Sequence, residues 1–224
     1  MNKPLVIKRQ ITDTLKYKGK TMINIDINYP NIERTNQIAK IKINSYYDKK
    51  AQKLYKRAKT KLYYDAVKQY EYAISQGFPF NAYQVVSVFE TNYNCPPLLS
   101  IYEDVYEYTG GAHGNTVKYS DTWEINIGKR LLLSNLFKRG YDYRRVILKE
   151  IEKQAIKLEQ SGQIPFFDDY KLGIKKYFDE KNYYLTTNGL AIYYPLYTIA
   201  PYVAGIIVFI IPYYIFGKNL NFNL

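Results

Sequence analysis

The chain has 224 residues, 47% hydrophobic and 23% charged, with a net charge of +12. That is long and apolar enough to bury a sizeable core, and it excludes an intrinsically disordered chain. One cysteine (Cys95) and one histidine (His113) exclude an internal disulfide and the usual zinc sites, and no cofactor or metal is implied. Cys95 reads as a small buried apolar group rather than a nucleophile. The 27 tyrosines would suit a carbohydrate or partner surface, but Lys, Asn, Ile and Tyr are all frequent and share A/T-rich codons, so base composition explains the bias more simply.

The N-terminal "MNKPLVIKRQITDT" lacks a signal-peptide pattern, because its apolar run is short and broken by Lys8 and Arg9. The chain as written is expected in the cytoplasm, and outside the cell if Met1 is not the natural start. Residues 5–29 predict two extended segments around "KYKGK", with Gly19 in the turn. "TMINIDINY" alternates, placing Ile23, Ile25, Ile27 and Tyr29 on one side, and Pro30 should end it. Residues 32–75 predict one long helix whose buried stripe runs through Ile43, Tyr47, Ala51, Leu54, Ala58, Leu62 and Ala66, closed by Gly77 and Pro79. Residues 40–68 carry ten Lys or Arg against Asp48 and Asp65, so the opposite face is either a solvated surface or a polyanion site on Lys49, Lys50, Lys53, Lys56 and Arg57.

A meander of strands follows over 80–127, turning at "NCPPL" and again at "GGAHGN". An amphipathic helix over 141–160 places Val146, Ile147, Ile151, Ala155 and Leu158 inward. A short helix covers 169–179, capped by Asp168-Asp169. Residues 182–217 hold no charge and are long enough to span a bilayer, but Pro195, Pro201 and Pro212 interrupt them. Asn188-Gly189 predicts a hairpin and "GIIVFI" a buried strand. The fold class is α+β: antiparallel sheets packed against a long helix in the N-terminal half and a second amphipathic helix.

Two motifs, "GGAHG" and "IAPYVAG", stand in this order with strand and helix between them. The pairing resembles a bacterial domain family of unknown function. That family occurs in the extracellular region of a lysozyme-sensing anti-sigma-V factor and in the non-catalytic N-terminal region of a peptidoglycan deacetylase. The resemblance implies a companion α+β domain over 1–95 and a C-terminal α+β domain over 96–224 carrying both motifs. It further implies a binding or sensor module of a Gram-positive bacterium, recognising a lysozyme-like protein or a cell-wall glycan.

The expected binding residues are Gly110, Gly111, His113 and Gly114 in the glycine turn, with Pro195, Tyr197, Pro201 and Tyr202 in a stiff aromatic loop. His113 lacks a nucleophile elbow and a phosphate-loop setting, so it should bond the neighbouring backbone and fix the turn. The alternative is a carbohydrate-active enzyme. Glu103 and Glu107 share one strand face, roughly 13 Å apart, wider than glycosidase geometry requires, so a second acid would have to come from elsewhere.

Overall fold

The computed structural model describes residues 3–224; Met1 and Asn2, where the expected companion domain opens, lie outside the described residues. The fold is α+β. A six-stranded sheet has the order β1 (Leu5–Tyr17), β2 (Lys20–Glu33), β3 (Tyr83–Cys95), β4 (Leu98–Tyr108), β5 (Asn115–Glu124) and β6 (Lys129–Leu131). A three-stranded sheet has the order β7 (Tyr183–Thr186), β8 (Gly189–Tyr194) and β9 (Ile207–Ile211). The helices are α1 (Gln37–Arg57), α2 (Tyr63–Gln76), α3 (Tyr143–Gln160) and α4 (Tyr170–Lys176), with a π-helical segment, Ala58–Leu62, between the first two. By contacts the chain divides into two units: Met1–Glu90, Glu103–Val117 and Asn126–Gly128, and Thr91–Tyr102, Lys118–Ile125 and Lys129–Leu224.

In the first unit, β1 and β2 form an antiparallel hairpin. Both turn residues, Lys18 (φ 48°) and Gly19 (φ 80°), take the left-handed conformation that the twist of a two-residue hairpin demands. Strand β2 runs on through Pro30, which pairs with Lys8. The ladder from β2 to β3 ends at Ile27 and Ser87, so Pro30 lies where β2 has an unpaired side, and the missing N–H is tolerated. β2 and β3 are parallel, which requires a crossover, and α1 and α2 supply it.

The long helix begins at Gln37 rather than at residue 32, because Ile32 and Glu33 still belong to β2 and Asn36 accepts the Ala39 N–H as N-cap (2.9 Å). Gly77 closes α2 in the left-handed conformation, as expected. Ile43, Tyr47, Ala51, Ala58, Leu62 and Ala66 are buried, as are Ile23, Ile25 and Ile27 on β2. Each buried isoleucine contributes about 1.5–3 kcal/mol relative to exposure.

In the second unit, α3 and α4 pack on the three-stranded sheet through Ile147, Ile151, Ala155 and Ile174 against Leu185, Leu190, Ile192 and Phe209. Gln154 Nε2 donates to the Ile210 carbonyl (2.9 Å), and the Tyr194 hydroxyl donates to that of Ile174 (2.9 Å). Asp169 occupies the N-cap position of α4, but its side chain makes no capping bond; its carbonyl accepts from Leu172 and Gly173 instead. Cys95 is exposed, contrary to expectation, because it is the last residue of β3 before the Pro96-Pro97 reversal. Among the described residues no helix is long and apolar enough to cross a membrane.

The buried tyrosines carry a pH prediction. Burial, and then the Glu159 carboxylate bonded to its hydroxyl, push Tyr170 up from 10.0 to about 12, and burial also raises Tyr183, Tyr194 and Tyr213. With the folded value above the unfolded one, this stability is intact below pH 10 and is lost as pH climbs through about 12. Alkaline titration by phenolate absorbance should therefore show a late class of tyrosines ionising together with loss of helical circular dichroism. A single smooth titration with the fold intact would contradict this.

Candidate functional site

The glycine turn, residues 109–114, joins β4 to β5 in the first unit. Gly110 has φ +86°, and a Cβ there would stand 2.7 Å from the Gln69 amide. Gly114 is buried, and a Cβ would meet the Tyr106 ring at 2.3 Å. Gly110 therefore needs glycine for its left-handed backbone, since the Gln69 amide can swing aside, and Gly114 for the close approach of the ring, whereas Gly111 is exposed and has room. His113 is exposed, and its Nδ1 donates to the Gly114 carbonyl (3.0 Å). This is the backbone bond expected of it, made with the proton on Nδ1.

The basic helix sorts its cations by side. Lys50 Nζ lies 2.6 Å from Glu103, a carboxylate only 4% exposed that also accepts the Ser87 hydroxyl (2.7 Å). Arg57 is paired with Glu107. These two cations turn toward the sheet and are engaged with its acids. Lys49, Lys53 and Lys56 stay on the solvent face. The same pairs bear on Glu103 and Glu107 as hydrolytic acids: both share the helix-facing side of β4, and each is engaged by a helix cation. Among the described residues no three His, Cys, Asp or Glu side chains gather in a way that could hold a metal ion.

The proline-tyrosine loop joins β8 to β9 in the second unit. The Pro195 carbonyl accepts from the Thr198 hydroxyl (2.6 Å) and its N–H (3.3 Å), making a tight turn. Within it Tyr197 adopts φ +61°, a left-handed conformation costly for an aromatic residue. Ile199 and Ala200 anchor the loop in the core, and Phe167 N–H donates to the Ile199 carbonyl (3.0 Å). Pro201 precedes a single 3₁₀ turn, Tyr202–Ala204. The Tyr197 and Tyr202 rings lie 5.7 Å apart at 32°, and Val203 beside them is 83% exposed. Exposed Tyr197 and Val203 with half-buried Tyr202 thus make an apolar ridge on a fixed base. The glycine turn belongs to the first unit and this loop to the second, so each presents its surface from its own residues.

The comparisons divide the chain in a similar way. Residues 17–116 match the family model described as Deacetylase PdaC. Residues 134–214 match that of a protein of unknown function, DUF3298. The chain carries both segments in tandem. Gly110–Gly114 falls within the first match, and the loop from Pro195 to Gly205 within the second.

A solved DUF3298 family member from Bacteroides fragilis is 20% identical, with a TM-score of 0.71 over 98% of this chain and 94% of that one. A DUF3298 family protein from Pseudomonas aeruginosa is 16% identical, with a TM-score of 0.59 over 96% and 94%. At these identities the likeness is one of fold. No curated protein matches the chain.

Some exposed residues were not singled out from the sequence. Val203 directly follows the expected contact residue Tyr202 and is exposed. Ile38 and Ile41 are exposed at the start of α1, and Tyr64 and Tyr72 along α2. The available signal was their position off the buried stripe.

Proposed function

We propose that this protein is a non-enzymatic recognition module that holds a lysozyme-like protein or a cell-wall glycan on the ridge Tyr197–Tyr202–Val203. The observation that carries this reading is Tyr197. A non-glycine residue held at φ +61°, 54% exposed and with its ring beside a second tyrosine, is backbone strain kept where contact area is offered. Pro195 stands two residues before Tyr197 and Pro201 immediately before Tyr202, and both limit the entropy lost when a partner binds. The glycine turn, pinned by His113, is a second rigid exposed element of the kind that recognition uses. The placement of Glu103 and Glu107 in ion pairs favours binding over glycoside hydrolysis.

The test is capture of lysozymes and peptidoglycan fragments by the purified chain at physiological salt. The double variant Tyr197→Ala/Tyr202→Ala should lose at least about tenfold in affinity, while Tyr214→Ala, an exposed tyrosine elsewhere in the unit, should lose none. Tyr197→Gly separates strain from contact: it should gain about 1 kcal/mol of stability and still lose binding. Unchanged capture by the double variant would remove the site from this loop.

A further inference from the structure

The geometry points to a second binding surface, independent of the tyrosine ridge: the solvent face of α1 and α2 lies flat on an anionic lipid bilayer. From Lys49 the exposed positions Lys53, Lys56, Thr60, Tyr64, Lys68 and Tyr72 follow in steps of three and four residues, along one side of the helix and through its π turn. Lys49, Lys53 and Lys56 are exposed and, among the described residues, make no ion pair, unlike Lys50 and Arg57 on the adjoining side.

Charge alone would suit any polyanion. The apolar residues on the same face decide between them. Ile38 is 66% exposed and Ile41 58%, at the start of the face, and Tyr64 and Tyr72 are 58% and 62% exposed further along. Lys68 Nζ lies 4.5 Å over the Tyr64 ring, so cation and aromatic face outward together. The loop bearing half-exposed Ile127 is tied to the isoleucine end by Lys42 Nζ, which donates to the Ile127 carbonyl (3.2 Å).

Lysine by itself keeps a helix soluble, and a nucleic acid backbone needs only cations. Bare isoleucines add nothing to either role. Isoleucine for the acyl boundary, tyrosine at headgroup depth and lysine for phosphate is the composition of a helix lying in a bilayer interface. From Ile38 to Tyr72 the face runs about 50 Å at 1.5 Å per residue, long enough for all these groups to reach a flat surface together.

The experiment uses the full chain and vesicles of phosphatidylglycerol with phosphatidylcholine, against pure phosphatidylcholine vesicles and a DNA duplex. Sedimentation should show binding to the anionic vesicles only, or far more tightly than to either control. The variant Lys49→Gln/Lys53→Gln/Lys56→Gln should lose roughly a hundredfold, at about fivefold per lysine. Ile38→Ser/Ile41→Ser should bind at low salt but release at physiological salt, where the parent stays bound, because its apolar contribution is not screened. Tyr64→Trp should shift its emission to the blue on anionic vesicles, which a purely ionic contact would not produce. No vesicle binding at low salt would overturn the proposal. So would duplex binding as tight as vesicle binding with the isoleucine variant indistinguishable from the parent, since that describes a polyelectrolyte face.

Discussion

Replacing Lys50 by methionine is expected to lower the unfolding free energy by about 3 kcal/mol, although its charge lies on a helix rich in other lysines. The reason is its partner. Glu103 is 4% exposed and Lys50 Nζ lies 2.6 Å from its carboxylate. Removing the cation strands a buried carboxylate with the Ser87 hydroxyl bond, which does not offset its desolvation. Adding Glu103→Gln to Lys50→Met should recover most of the loss, since the introduced amide oxygen still accepts from Ser87. Arg57→Met is the contrast. Its pair with Glu107 has the guanidinium 45% exposed, and the loss should stay within about 1 kcal/mol. Denaturant unfolding of the four proteins decides it: equal losses for Lys50→Met and Arg57→Met, or no recovery in the double variant, would refute the buried-pair account.

That pair also marks the limit of what the sequence could tell. Periodicity placed Ile43, Tyr47, Ala51 and Ala58 on one stripe and Ile23, Ile25 and Ile27 on one face, and all are buried. These are local patterns, readable residue by residue. Joining Lys50 to Glu103 needs a parallel β2–β3 register and β4 beside it, which no local pattern encodes. The same limit explains Pro30. Its chemistry argued for a strand end, but whether a missing N–H matters depends on where the neighbouring ladder stops. The lysine stripe was legible as charge; the isoleucines and tyrosines that share its side were visible only as departures from the buried stripe. In the second loop, tyrosine and proline were legible as composition. The left-handed backbone at Tyr197 was not, because nothing local favours it, and the turn fixed by Pro195 and Thr198 imposes it.

The Asn188-Gly189 signal foretold a hairpin and misplaced its centre, and this leads to the second large effect. The strands pair Thr186 with Gly189, so the two central residues are Thr187 and Asn188. The Thr186 hydroxyl oxygen accepts the N–H groups of Asn188 and Gly189 (3.1 Å each). Gly189 is thus the first residue of β8, at φ +156°, and a Cβ there would lie 2.3 Å from the Ile211 carbonyl oxygen and 2.7 Å from its carbon.

Gly189→Ala should accordingly cost about 3 kcal/mol or more, because the clash is with backbone and no side chain can rotate away. Gly162→Ala, at φ +67° with open space around it, should cost only about 1 kcal/mol. The two variants have different consequences for recognition. Leu190 pairs with Ile211 at one end of the β8–β9 ladder and Tyr194 with Ile207 at the other, and the tyrosine ridge is strung between those strands. Forcing Ile211 away from Gly189 disturbs the ladder that holds the ridge. Gly189→Ala should therefore lose thermal stability and partner capture together, whereas Tyr197→Ala/Tyr202→Ala loses capture with the melting temperature nearly unchanged. If Gly189→Ala melts like the parent, the tight approach of β8 to the Ile211 carbonyl is not what fixes the register.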